Sequence, residues 1–297
     1  MIRFSRLPLT LFLFPLTLFL TTMPSHSAGQ SRDRALEHAR KLLKSTPLID
    51  GHNDLPWTIR ESATHPRDVA AYDLRTHTTG HTDFERLSEG QLGAQFWSIY
   101  LPGDIKDSGY ARVQLEQFDI ARRVIARYPE RLSLALSADD IERTFKRGKI
   151  GSLLGMEGGH AIENSLGALR AFYDLGVRYM TLTHNVTTDW ADAATDVARH
   201  GGLTRFGEEV VREMNRLGML VDLAHVSPAV MDRALRVSAA PVIFSHSSCR
   251  ALTDVPRNVP DDILARLPEN GGVIMVTFVA AFVSPEAAAA RAAGMEE

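Results

Sequence analysis

Cysteine is almost absent. The single residue, Cys249, excludes an internal disulfide and any cysteine-based structural zinc site. Beside the apolar run that precedes it, it reads as a small buried residue rather than a reactive thiol. No basic tract stands out and the net charge is -3, which argues against nucleic acid as a partner. No internal repeat or low-complexity segment interrupts the chain. The apolar stretch Leu7 to Leu20 is broken by Pro15 and falls slightly short of the ~20 residues that a bilayer span needs.

What is present is ordinary for a globular protein. Of 297 residues, 44% are apolar and 23% charged, enough for one large domain or two small ones with a substantial core. Arg3 and Arg6 precede the apolar stretch, and small and polar residues follow it at Ser25-His26-Ser27-Ala28. That order of segments describes a secretory signal peptide over residues 1–28. Export with cleavage, to the periplasm or outside the cell, leaves residues 29–297 as the working domain without a stable membrane span. An uncleaved anchor is the rival reading. With no cysteine near the junction, a lipoprotein anchor is excluded.

The rest alternates strand and helix. Apolar strands are expected at Leu48–Gly51, Ala94–Tyr100, Ile150–Met156, Arg178–Thr183, Met219–Leu223, Val242–Ser245 and Gly272–Val279. Helices are expected at Ser31–Lys44, Gln114–Tyr128, Leu166–Leu175, Phe206–Leu217, Pro228–Ser238, Asp261–Leu267 and Ala287–Ala293. Such repeats imply a parallel sheet covered by helices, an α/β protein. Functional residues follow several different strands, and a closed barrel gathers that many strand ends more easily than an open sheet. The expected fold is therefore a (β/α)8 TIM-type barrel. Only seven strands can be counted, and the chain stops within a helical pattern, so the barrel reads as truncated before strand eight.

The chemistry sits at the strand ends. His52 and Asp54 lie two apart after the first strand, so an imidazole and a carboxylate share one face of an extended segment. Glu157 stands among glycines in Gly155-Met156-Glu157-Gly158-Gly159-His160. A carboxylate there is costly to bury unpaired, and its two oxygens can bridge two ions. A salt-bridged glutamate is the plainer alternative. His225 and His246 end consecutive strands in equivalent positions, which favours a shared metal over two isolated core histidines. Asp222 or Ser245 is placed to orient an imidazole from behind. His184 holds the matching place on strand four, where substrate contact suits it, and His160 suits a capping or supporting role. Neutral imidazoles and carboxylates at several strand ends are the makings of a divalent-metal hydrolase.

These motifs resemble the membrane (renal-type) dipeptidases, two-zinc peptidases of the M19 type. The likeness is carried by Leu48-Ile49-Asp50-Gly51-His52-Asn53-Asp54-Leu55-Pro56-Trp57, Gly155 to His160, Thr181-Leu182-Thr183-His184-Asn185, Asp222-Leu223-Ala224-His225-Val226-Ser227, Pro241 to Ser248 and Arg257-Asn258-Val259-Pro260-Asp261-Asp262, in that order. The resemblance implies a (β/α)8 barrel hydrolysing dipeptides, including some with a C-terminal D-residue. It implies two Zn2+ ions, one on His52 and Asp54 and one on His225 and His246, bridged by a catalytic Glu157. His184, Arg257 and Asn258 become substrate-binding residues, and Arg257 suits the terminal carboxylate because its planar fork offers two hydrogen bonds. A hydroxide held between two metal ions is available near neutral pH, since metal lowers the pKa of water to about 7. The resemblance also implies a homodimer and a proton-shuttling aspartate in a Gly-Ser-Asp-Phe-Asp-Gly-like segment on strand eight, which this sequence lacks. The alternatives are another metal-dependent amide or lactam hydrolase on the same barrel, and an inactive form that only binds metal.

Overall fold

The computed structural model describes residues 27–105 and 109–294. The proposed signal peptide lies outside them as far as residue 26. The chain divides into two compact units after Leu42, within the helix Ser27–Ser45. All the strands belong to the second unit.

Eight parallel strands are present among the described residues: β1 (Leu48–Asn53), β2 (Leu92–Tyr100), β3 (Leu132–Leu134), β4 (Ile150–Glu157), β5 (Val177–Thr181), β6 (Leu220–Asp222), β7 (Ile243–Ser247) and β8 (Val273–Val276). Seven of them run in the order β1-β2-β4-β5-β6-β7-β8. These are the seven strands expected from the sequence. The short β3 pairs with residues 150–152 at the start of β4, whereas β5 pairs with residues 154–157 at its end. Sequential parallel strands joined by helices curl the sheet into a nearly closed barrel.

The closure is incomplete between β8 and β1, which end the path without a ladder between them. Gly51 makes the seam narrow. A Cβ there would fall 2.4 Å from the Ser245 carbonyl oxygen and 2.3 Å from Met275 Sδ, so only glycine admits that approach. β2 and β4 are buried along nearly their whole length, but β8 is half-exposed, with Val273 and Val276 open to solvent.

Helix boundaries follow local chemistry. Ser165, Thr204 and Ser227 each accept a backbone N–H in the first turn of the helices Leu166–Leu175, Arg205–Leu217 and Pro228–Val237. Gly176 and Gly218 end the first two in the left-handed conformation. Five short α-helices went unforeseen, at Leu55–Arg60, Phe84–Glu89, Ala138–Lys146, Leu267–Asn270 and Ala280–Val283. Among the described residues no helix is long and apolar enough to cross a membrane.

Candidate metal centre

Parallel strands deliver their carboxyl ends to one rim, and there the expected ligands meet. Glu157, the last residue of β4, is 3% exposed and lies at the centre. Its Oε1 is 2.9 Å from His225 Nε2, 3.3 Å from His246 Nε2 and 3.8 Å from His184 Nε2. Its Oε2 is 3.3 Å from His52 Nε2 and accepts a hydrogen bond from Ser98 Oγ at 3.1 Å. Two overlapping groups of ligand atoms result, His52 with Glu157 and His246, and Glu157 with His184 and His225. Glu157 belongs to both.

Asp54 Oδ1 stands 3.2 Å from His52 Nε2, as the two-residue spacing required. Asp54 precedes the helix Leu55–Arg60 but makes no side-chain cap, so its half-exposed carboxylate is left to the cluster. Asn53 fixes the turn by accepting from Leu55 N and donating to Thr82 Oγ1, at 3.0 Å each.

The imidazoles of His246, His225 and His52 are each held from behind through Nδ1. His246 Nδ1 lies 2.8 Å from Ser245 Oγ, and Ser245 Oγ donates to the buried Asp222 at 2.7 Å. Thr181 Oγ1 and the Ser245 and Ala224 amides also donate to Asp222. His225 Nδ1 faces Asn185 Oδ1 at 3.2 Å, and His52 Nδ1 faces the Tyr179 hydroxyl at 3.0 Å. Asn185, Tyr179 and Ser98 escaped the sequence reading in these roles. The one local signal for Tyr179 is Gly155, where an added Cβ would sit 2.0 Å from its ring.

His225 adopts φ 67°, the left-handed region that a non-glycine residue rarely occupies. The loop after β5 pins it there: Ala194 N donates to the His225 carbonyl at 2.7 Å and Ser227 N to the Asp192 carbonyl at 2.9 Å. That loop is itself organised by the buried Asp192 carboxylate, which accepts from the Arg199, His200 and Gly202 amides.

The electrostatics divide the imidazoles. Burial pushes His225 well below the usual histidine range, with the Arg257 charge adding to it. Burial, then the charge of His52, brings His246 down to about 4. For His52 burial works the same way but is outweighed by Glu157, Tyr179 and Asp54, and its pKa is raised well above 6.5. Burial opposes ionisation of Glu157, yet His52 and the hydrogen bonds from His225 and His246 hold it well below the carboxylate range. An ionised carboxylate facing imidazoles whose Nε2 atoms all point inward fits a divalent cation of the zinc type.

The cluster opens into a cavity of about 1420 Å³, with His184, Asn185, Tyr100, Trp57 and Arg257 in its wall. Arg257 is 6% exposed, and burial lowers its pKa to about 10. Its guanidinium lies over the Phe282 ring at 5.3 Å and one nitrogen donates to the His246 carbonyl, while Nη1 is buried without a partner. Asn258 does not line the cavity. It is fully buried and donates to the Thr253 and Phe282 carbonyls, so it holds the Arg257 loop in place. His160 is likewise outside the cluster: burial brings its pKa down to about 4, and its Nε2 lies 3.1 Å from the Leu101 carbonyl.

A parallel-strand barrel bearing this cluster at its carboxyl rim defines a class of protein, and comparison with known chains gives the family. Residues 36–295 match the membrane dipeptidase family, peptidase family M19. This chain belongs to that family. It is 48% identical over 252 residues to Dipeptidase 3 of Mus musculus, covering 83% of this chain and 50% of that protein. It is 46% identical over 258 residues to dipeptidase verJ of Clonostachys rogersoniana, covering 83% of this chain and 66% of that one. Among solved structures, the metallo peptidase from Rhodobacter sphaeroides liganded with a phosphinate mimic of the dipeptide L-Ala-D-Ala has the same fold, with a TM-score of 0.73 and 24% identity. That match covers 81% of this chain and 76% of the other. The chain thus spans about half to two thirds of the length of the curated relatives it matches.

Proposed function

We propose that this protein is an exported dipeptidase that uses two zinc ions to hydrolyse dipeptides, including those with a C-terminal D-residue. The observation that carries the reading is the place of Glu157, a buried ionised carboxylate shared by two groups of imidazole Nε2 atoms. On this reading His52 and Asp54 would hold one ion and His225 and His246 the other, with Glu157 within reach of both. A divalent ion at such a position supplies a Lewis acid and, by lowering the pKa of water to about 7, a nucleophile at neutral pH.

The chain's own residues do the rest. Arg257 carries a buried charge with one nitrogen unpartnered, and a substrate carboxylate is the partner that satisfies it. His184 reaches the same cavity, and burial lowers its pKa, so at neutral pH it is an uncharged group able to hydrogen-bond the scissile carbonyl oxygen. Asn258 contributes by fixing the Arg257 loop. Export rests on the basic, apolar and small-residue order of the first 28 residues. The D-residue preference rests on the family resemblance, to which the ligand named for the Rhodobacter protein adds support.

The test is hydrolysis of L-Ala-L-Ala, L-Ala-D-Ala and their C-terminal amides by the purified protein, with zinc content measured on the same sample. Two zinc ions, chelator-sensitive turnover of the free acids and poor turnover of the amides are expected. Arg257→Ala should lower kcat/KM for the free acids by about 30- to 1,000-fold, the cost of losing one partner of a buried charged pair. Turnover indifferent to the free carboxylate would point instead to a general amide or lactam hydrolase.

A further inference from the structure

The three ligand imidazoles are not supported in the same way. His246 leans on Ser245, whose hydroxyl donates to Asp222, and His225 on the Asn185 amide oxygen. His52, on the strand at the seam, has neither. Its Nδ1 meets a phenol brought from across the barrel, from β5, which is not adjacent to β1 in the sheet. We infer that Tyr179 is a positioning residue that fixes His52 with Nδ1 protonated and Nε2 turned to the metal.

Hydrogen-bond direction settles the assignment. The Tyr179 hydroxyl lies 3.2 Å from the Gly51 carbonyl oxygen and 3.0 Å from His52 Nδ1. A carbonyl oxygen can only accept, so the phenol spends its one proton on Gly51. Its oxygen is then left to accept, and the donor must be Nδ1–H of His52. The second ring nitrogen is thereby freed to face Glu157 and Asp54 at 3.3 and 3.2 Å. One phenol grips both the carbonyl of residue 51 and the side chain of residue 52, so it sets the backbone and the ring of the first ligand together.

The rest of the barrel is cut to admit that phenol. Tyr179 is fully buried, and its ring passes over Gly155 where no Cβ could stand. Its neighbours in the interior include Phe96, at 4.9 Å between ring centroids. A phenylalanine would fill the same space, so the hydroxyl is the part whose presence packing does not explain.

The inference rests on His52 being a metal ligand, and its test is built so the two can fail separately. Tyr179→Phe is compared with the unaltered protein by zinc titration against a competing chelator. One of the two zinc ions should bind about 10- to 100-fold more weakly, the range for losing a partner behind a ligand, while the other is unchanged. Affinity for both ions unchanged from the unaltered protein would overturn the inference. Independently, imidazole 15N shifts of the unaltered protein should find His52 Nδ1 protonated, with or without zinc, and a bare Nδ1 would overturn it. That reading needs no folded variant. If the unaltered protein binds no zinc at all, the metal-centre reading fails, and the Nδ1 state alone decides the role of Tyr179.

Discussion

His225 follows β6 and His246 lies on the neighbouring β7, with Asp222 behind His246 through Ser245, Asn185 behind His225, and the loop after β5 bonded to the His225 backbone. His52 and Asp54 come from β1, at the seam, where Asp54 is half-exposed and the one buried support is Tyr179. The first pair is neutral as it stands, because burial lowers both histidines. At His52 burial is outweighed by Glu157, Tyr179 and Asp54, so it holds a proton that a cation would have to displace. On the proposed ligand assignment, one half of the cluster would be prepared for a metal in advance, and the other would be completed by the metal itself. Preparation costs more ordered structure but removes the proton from competition.

The harshest way to break this contrast is to remove what the halves share. Glu157→Gln keeps the shape and deletes the charge, so both ions should be lost and hydrolysis should fall by more than the about 100-fold ceiling for outer partners. Zinc analysis beside a dipeptide assay checks this, and retention of both ions would mean that Glu157 is not the bridge.

A cut aimed at the prepared half is gentler. Asp222→Asn disturbs the Ser245 and His246 chain while leaving Tyr179 and His52 alone. One ion should weaken by about 10- to 100-fold, and it should be the one that Tyr179→Phe spares. Weakening of the same ion by both variants would erase the distinction.

Changing pH sharpens the contrast without a mutation. Between about 4 and 6.5 the unfolded chain binds a proton at His246 that the folded, metal-free protein does not, so this group makes stability rise with pH. His52 has the opposite sign: its folded pKa is raised, so its contribution is whole below 6.5 and is lost as pH climbs through the folded value. Thermal denaturation of the chelator-treated protein should show a stability maximum in the neighbourhood of pH 6.5. Zinc binding at the His52 half should be the more strongly pH-dependent of the two. A single pH dependence for both ions would show that the halves are alike.

The smallest effect concerns the seam. Gly51→Ala forces a Cβ against the Ser245 carbonyl and Met275, and should cost about 1–3 kcal/mol, the usual range for overpacking. Denaturant titration measures it, and a neutral result would mean that the seam is loose.

Much of this was legible in one dimension because periodicity and position carry it. Seven apolar runs ending in polar residues were enough to expect parallel strands, and the five ligand candidates follow from where those runs stop. The spacing of His52 and Asp54 already put them on one side of an extended segment. β3 and the five short helices were not legible, since three to nine residues leave too little pattern to separate from a loop. Asn258 looked like a binding residue by its neighbour Arg257, but one step along the chain turns it inward, to the Thr253 and Phe282 carbonyls.

By itself, then, the sequence determined the class of fold and the family and nominated the ligand candidates, because these depend on residue type, local period and order along the chain. Tertiary structure alone decided that Glu157 touches both groups of histidines, that Tyr179 stands behind His52, and that one imidazole is charged where two are neutral. Those properties come from distances between residues 50 to 130 positions apart, and from the burial that lets a carboxylate at 3 Å outweigh water.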